Sequence, residues 1–160
     1  FLDYRDLAGK YDAVISIEMF EAVGEKYWPS YFKTVSESLR PGARAAIQTI
    51  SIDNDRFENY RRGTDFIQQY IFPGGMLPSP QRFEKEIVSA GMKLDHLHGF
   101  GLDYARTLRL WRENFESALD EVRTQGFDEA FIRLRRFYLC YCEAGFLTRR
   151  TDVYQALVSA

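Results

Sequence analysis

YDAVISIEMFEAVGEKYWPSYFKTVSESLRPGARAAIQTISI, residues 11–52, decides the fold. Its first seven residues, Tyr11–Ile17, are short, apolar and rich in β-branched side chains, and read as a buried strand. In the middle, Tyr31, Val35 and Leu39 recur at i, i+4 and i+8, one face of a helix. Pro41 and Gly42 are expected to stop that helix. From Ala43 to Ile52 the pattern returns to period two. Ala45, Ile47, Thr49 and Ser51 point one way, and Ala46, Gln48, Ile50 and Ile52 the other. Strand, helix, strand over about forty residues is a βαβ unit, which implies a parallel pair with a right-handed crossover.

Outward from this unit the pattern continues. The stretch from Arg56 to Tyr70 mixes charged and aromatic residues and reads as a helix over the sheet edge. IFPGGMLPSP (71–80) holds three prolines and two adjacent glycines, a loop of fixed shape. Ser79 before Pro80 is an N-cap, and Phe83, Ile87 and Ala90 line the helix that follows. MKLDHLHGF (92–100) reads as a third strand. Asp103 is placed to cap a helix carrying Leu108, Trp111, Phe115 and Leu119, and Phe131, Leu134, Tyr138 and Tyr141 mark another. TDVYQALVSA (151–160) closes the chain as a strand, expected antiparallel at the end of the sheet. No repeat, linker or low-complexity run interrupts this order, so one α/β unit is expected.

Composition narrows the function classes. At 160 residues, a single domain buries roughly 68–70% of its unfolded-chain surface. A net charge of −2 argues against a surface built for nucleic acid. Two cysteines, Cys140 and Cys142, cannot form a disulfide framework, which points to a reducing compartment. No apolar run is long enough to span a membrane, and no signal peptide is visible. The chain opens on Phe1 and not on Met, so it is expected to be a piece of a longer protein. Aromatic residues make up 16% of the chain, a share that suits a dense core or a large apolar cavity.

Some residues stand out for chemistry. SIEMFEAVG follows directly from the first strand, and ligands of open α/β sheets sit beyond the carboxyl ends of strands. Glu18 and Glu21 are therefore either site residues or carboxylates favoured by a helix N-terminus. Being three apart, they share a face if the turn is helical. Gln48 is a polar residue in an apolar strand, either a ligand contact or an internally bonded amide. His96 and His98 project to one face of their strand without a third ligand nearby, and read as structural. Cys140 and Cys142 point about 200° apart on a helix and read as packing residues. No glycine-rich phosphate loop is present, since Tyr104 stands where Gly99 and Gly101 would need a third glycine.

YDAVISIEMFEAVG, LRPGARAAIQTI, YIFPGGMLPS, GFGLDYARTLRLW and FYLCYCEAGF occur here in the order found in cyclopropane-fatty-acyl-phospholipid synthases and mycolic acid cyclopropane synthases. The chain resembles the C-terminal half of that family, whose fold is similar to class I S-adenosylmethionine (SAM) methyltransferases. The fold class implied is α/β, Rossmann-like, a mostly parallel sheet with flanking helices, and residues 1–160 would form the C-terminal portion of a methyltransferase domain. The N-terminal half with the SAM loop would lie outside this chain.

The resemblance also implies roles. The family moves the methyl of SAM to a cis double bond of a phospholipid acyl chain, and proton loss closes a cyclopropane ring, with bound bicarbonate as base. The glutamate that holds this ion matches Glu21, and the tyrosine of F-G-x-D-Y matches Tyr104. Gln48 stands where the family's H-T-I string begins with histidine, and Ile50 matches its isoleucine. The cysteine often marked catalytic matches Cys142, with Phe146 after it. Because a thiolate there would trap a carbocation, packing is the expected role. Asp3, Tyr4 and Arg5 match a string near the adenine of SAM, and Ile17 a position by its methionine part. Ala22 and Glu18 replace the usual histidine and glycine around Glu21, which admits a methyl- or methylene-branching enzyme or another acyl substrate, and the absent N-terminal half admits a non-catalytic lipid-binding relative. Expected partners are unsaturated phospholipid acyl chains and a membrane surface, with no nucleic acid and a homodimer left open. The expected location is cytoplasmic and peripheral to a membrane. Arg133, Arg135, Arg136, Arg149 and Arg150, beside Phe131, Phe137 and Phe146, are the candidate lipid-facing residues.

Overall fold

The computed structural model describes residues 2–160. In chain order the elements are β1 (Tyr11–Ile17), α1 (Phe20–Val23), α2 (Trp28–Ser38), β2 (Leu39–Ile52), α3 (Asn54–Tyr60), α4 (Phe66–Tyr70), α5 (Pro80–Ser89), β3 (Lys93–Gly99), α6 (Gly101–Ser117), α7 (Leu119–Thr124), α8 (Glu129–Leu147) and β4 (Thr151–Ser159). They fall into two compact units. One runs to Gly99 and takes back Val153–Ala160; the other is Phe100–Asp152. The expected α/β unit is the first of these. The second arises because the helices between β3 and β4 bury their apolar stripes mainly against one another.

In the first unit the strands lie in the order β1-β2-β4-β3. β1 and β2 are parallel, with Ile17 opposite Gln48, as the βαβ pattern requires. β4 is antiparallel to β3 but sits inside the sheet and not at its end. Its buried Val153, Ala156 and Val158 explain that place, because a strand with such a face needs neighbours. α2 stops at Ser38, three residues before Pro41. Arg40 precedes a proline and is pushed out of helical geometry, and Leu39 is already extended. Leu39 is still buried, as the first residue of β2.

One sheet face carries the core. Ala45, Ile47, Thr49 and Ser51 of β2 are buried there, while Ala46 on the opposite face is exposed. The core is aromatic. Phe20 has ring centroids of Tyr31, Phe32 and Trp28 at 5.0, 5.1 and 5.2 Å and Phe83 at 5.5 Å. These five rings are packing residues, at about 1.5–3 kcal/mol per buried large side chain. The Ser79 hydroxyl accepts from the Arg82 N–H and caps α5, with Pro80 at its first position, as read from sequence. The expected Arg56–Tyr70 helix is two short ones, α3 and α4, parted by Gly63.

In the second unit α6 packs along α8. Arg109 and Arg112 of α6 donate to the buried Glu143 of α8 at 2.9 and 3.0 Å. Burial would raise this carboxyl, but the two arginines hold it below the usual range. Arg136 makes a twin bond to Glu116 at 2.6 Å. Asp103 lies in the first turn of α6 and not at its cap. Instead the Gly101 N–H donates to Asp152 Oδ1 at 2.7 Å.

Candidate functional site

The carboxyl ends of β1 and β2 carry the clustered polar chemistry of the first unit. After Ile17 the chain turns sharply, and Glu18 has φ 51°, a left-handed conformation that costs a non-glycine residue about 1–3 kcal/mol. The turn is held by the Glu18 N–H, which donates to the Gln48 carbonyl at 2.9 Å. Glu18 therefore lies outside α1, and the expectation that Glu18 and Glu21 share a helical face is not met. Their side chains separate: Glu18 Oε1 accepts from Gln48 Nε2 at 2.9 Å, while Glu21 Oε1 accepts from the Ile50 N–H.

Glu21 is the unusual group. Its second oxygen, Oε2, is buried without a hydrogen-bond partner among the described residues. Burial pushes its carboxyl above the ordinary range, against the bonds from the Ile50 N–H, its own N–H and the Thr49 hydroxyl. The short helix that bears it is strapped down. Met76 N–H, from the proline- and glycine-rich loop, donates to the Glu21 carbonyl at 2.9 Å. Gln68, in a capping box with Asp65, donates to the Gly75 carbonyl of the same loop at 3.0 Å. Gln68 carried no sequence signal, because its role needs the fold that brings α4 back to the loop. Beneath the site, Tyr31 donates to Ser16 Oγ at 2.7 Å, and burial pushes its phenol up to about 12.

Gln48 is an internally bonded amide whose oxygen also has a partner: Gln155 Nε2 donates to Gln48 Oε1 at 2.9 Å. Gln155 carries no local signal in the sequence.

A second feature lies on the other side of α1. Asp3, Tyr4 and Arg5 line an open cavity of roughly 350 Å³ with Met19, Ala22 and Val23. These three residues, adjacent in sequence, are the ones matched to the adenine end of SAM. Asp3 is engaged by Arg5, whose Nε and Nη2 donate at 2.9 and 2.7 Å, and this holds its carboxyl down at about 2. Tyr4 stands edge-on to Tyr31, 5.8 Å away. Ile17 does not line the cavity; it is exposed at the tip of β1.

Tyr104 and Cys142 belong to the second unit. Tyr104 on α6 meets Phe100 and Phe146 edge-on at 5.6 and 5.5 Å. Cys142 is half-buried and Cys140 exposed. Among the described residues no group of three or more His, Cys, Asp or Glu could hold a metal ion. His96 and His98 are exposed on β3.

Comparison with known proteins places this architecture. The family model described as mycolic acid cyclopropane synthetase matches residues 1–156. The chain is 45% identical over 154 residues to the tuberculostearic acid methyltransferase of Mycobacterium tuberculosis, covering 96% of this chain and 36% of that protein. It is 33% identical over 162 residues to the cyclopropane-fatty-acyl-phospholipid synthase of Escherichia coli, covering 98% and 40%. It therefore spans about two fifths or less of the length of these relatives. In fold it matches the solved structure of a cyclopropane synthase from Mycobacterium tuberculosis with a TM-score of 0.87 at 23% identity, over 98% of this chain and 58% of that one. The fold is that of class I SAM-dependent methyltransferases. The chain belongs to the mycolic acid cyclopropane synthetase family.

Proposed function

We propose that this chain is the C-terminal portion of an enzyme that uses SAM to methylate a double bond in an unsaturated acyl chain of a phospholipid. The observation that carries this reading is Glu21: a buried carboxyl pinned at the ends of β1 and β2, with Oε2 lacking a partner. Such a group stabilises positive charge developing nearby, and more strongly in a site that excludes water.

The residues present fit one end of SAM, because the cavity beside Asp3 and Tyr4 has apolar walls in Met19, Ala22 and Val23 and an aromatic ring at its rim. SAM, when bound, supplies an electrophilic methyl group. The alkene is the nucleophile, so no side chain needs to attack, and Cys142 keeps its packing role. Bicarbonate is the base in this reading, and Glu21 is the residue that holds it. Two anions side by side repel, and burial pushes the Glu21 carboxyl up, the direction that eases this repulsion. Gln48 offers the amide N–H end toward β1.

Two products follow from one cation. Loss of a proton from the added methyl closes a cyclopropane ring, whereas a 1,2-hydride shift that moves the cation onto the methylated carbon, followed by loss of a proton from the methyl, gives a methylene branch. The branched product is favoured by Gln48, which cannot accept a proton as histidine can, and by the 45% identity to a protein named as a methyltransferase. The 33% relative named as a cyclopropane synthase supports the ring. The enzyme in this reading is cytoplasmic and visits a membrane surface, where its substrate lies.

Lipid analysis of cells expressing the protein from its complete reading frame tests the proposal. Acyl chains should gain one CH2 unit. Ring and methylene branch have equal mass, so ozonolysis separates them: the methylene is cleaved and the ring survives. Acyl chains of unchanged mass would leave the non-catalytic lipid-binding relative.

A further inference from the structure

On the sheet face opposite the aromatic core, a polar row crosses from β4 through β2 to the turn after β1. Gln155 Nε2 donates to Gln48 Oε1 at 2.9 Å, and Gln48 Nε2 donates to Glu18 Oε1 at 2.9 Å. A glutamine amide has one accepting end and one donating end, of nearly equal shape. In isolation Gln48 could present either end to the site. Here the carboxylate neighbour accepts only one choice. Glu18, when ionised, can only accept, so it demands the nitrogen. That leaves the Gln48 oxygen for Gln155, which donates its nitrogen to it. Turning the amide over would set its oxygen against the Glu18 carboxylate and break the bond from Gln155 unless Gln155 turned as well.

Glu18 is held in place for this. Its left-handed backbone, φ 51°, and its N–H bond to the Gln48 carbonyl at 2.9 Å tie the main chains of the same two residues whose side chains meet. A strained non-glycine residue persists only where its surroundings fix it.

We propose that Gln155 is a positioning residue that acts through Gln48, locking the amide with its N–H2 end toward β1 and the Glu21 side of the sheet. The inference rests on the proposed function, in that the value of a fixed donor there is to face an anion or the reacting lipid. Gln155 itself is one strand removed from that end and touches neither.

The test uses the protein expressed from its complete reading frame. The Gln48 side-chain amide resonances are identified as those lost in Gln48→Leu. In Gln155→Leu they should shift, with thermal stability and SAM affinity kept. Turnover on unsaturated lipid should fall about threefold to tenfold, the size of one neutral hydrogen bond. Gln155→Glu should cost more than Gln155→Leu, since a carboxylate there demands the nitrogen and pulls the amide over. In the Gln48→Leu background, Gln155→Leu should add nothing, because its route is gone. Unmoved Gln48 resonances, or a Gln155 effect that adds in full to that of Gln48→Leu, would overturn the proposal. Should the resonances shift while the wild-type protein leaves lipid unmethylated, the positioning stands and the proposed function falls.

Discussion

At the scale of single residues, Glu21 links stability to chemistry. Its folded carboxyl titrates above the ordinary value of 4.5 because of burial. A folded state that binds a proton more tightly than the unfolded chain loses stability as pH rises. The contribution is complete below about pH 4.5 and disappears as pH climbs through the raised value. Glu21→Gln keeps the shape and removes the titration, so its unfolding free energy should lose this slope. Denaturant unfolding of both proteins across mildly acidic to neutral pH measures it; parallel curves would refute the shift. The same substitution should cut turnover by at least about tenfold, or about 1.4 kcal/mol of transition-state stabilisation, and full activity in Glu21→Gln would end the catalytic role. Glu21 was legible in sequence because it follows a strand end in a recognisable string. Gln155 was not, because it meets Gln48 across 107 positions and nothing local marks a residue whose partner depends on strand order. Glu18 was misplaced for a related reason: spacing three suggests a helix, and only the turn's left-handed backbone shows otherwise.

Among the elements, those fixed by local rules were read well and those fixed by neighbours were not. β1, α2 and β2 follow from hydrophobic period, and α5 from Ser79 and Pro80, but β1 is expected to be buried and is not: it stands at one end of the strand order with none of its residues buried. The place of β4 inside the sheet depends on the long return through α6–α8, which no local pattern encodes. The boundary of that insertion is itself a tight joint. A Cβ on Gly101 would lie 2.5 Å from Asp152 Oδ1, the same atom that accepts the Gly101 N–H at 2.7 Å. Gly101→Ala should therefore destabilise by about 1–3 kcal/mol, the usual cost of overpacking. Removing the obstructing carboxylate tests the cause. Asp152→Ala in the Gly101→Ala background should cost less than the sum of the two single changes. Thermal melts of the four proteins decide it, and strict additivity would show that the two residues do not meet.

For the molecule as a whole, the proposed function requires the protein to reach an acyl chain in a bilayer, and no helix among the described residues is long and apolar enough to cross one. The sequence singled out five arginines and three phenylalanines. The structure divides them. Phe146 is buried, and Arg136 is bound to Glu116, so both serve the packing of α6 on α8. What remains on α8 is an exposed stripe of Leu134, Phe137 and Tyr141, with Arg133 and Arg135 to either side and Arg135 set 5.0 Å from the Tyr138 ring. Aromatic side chains flanked by arginine suit the boundary between lipid headgroups and acyl chains. Each basic residue near an anionic surface contributes about 1 kcal/mol. Replacing Arg133 and Arg135 together with Gln should then weaken binding to anionic vesicles about thirtyfold. Wild-type protein should sediment with such vesicles at low salt and leave them near ~0.5 M, where the Debye length falls below about 5 Å. Phe137→Ser should weaken binding at either salt concentration, since its share is not electrostatic. Arg136 is to be left in place, because its loss would strip Glu116 of its partner and confuse folding with docking. Sedimentation that ignores salt, the two arginines and Phe137 alike would remove α8 as the lipid-facing surface.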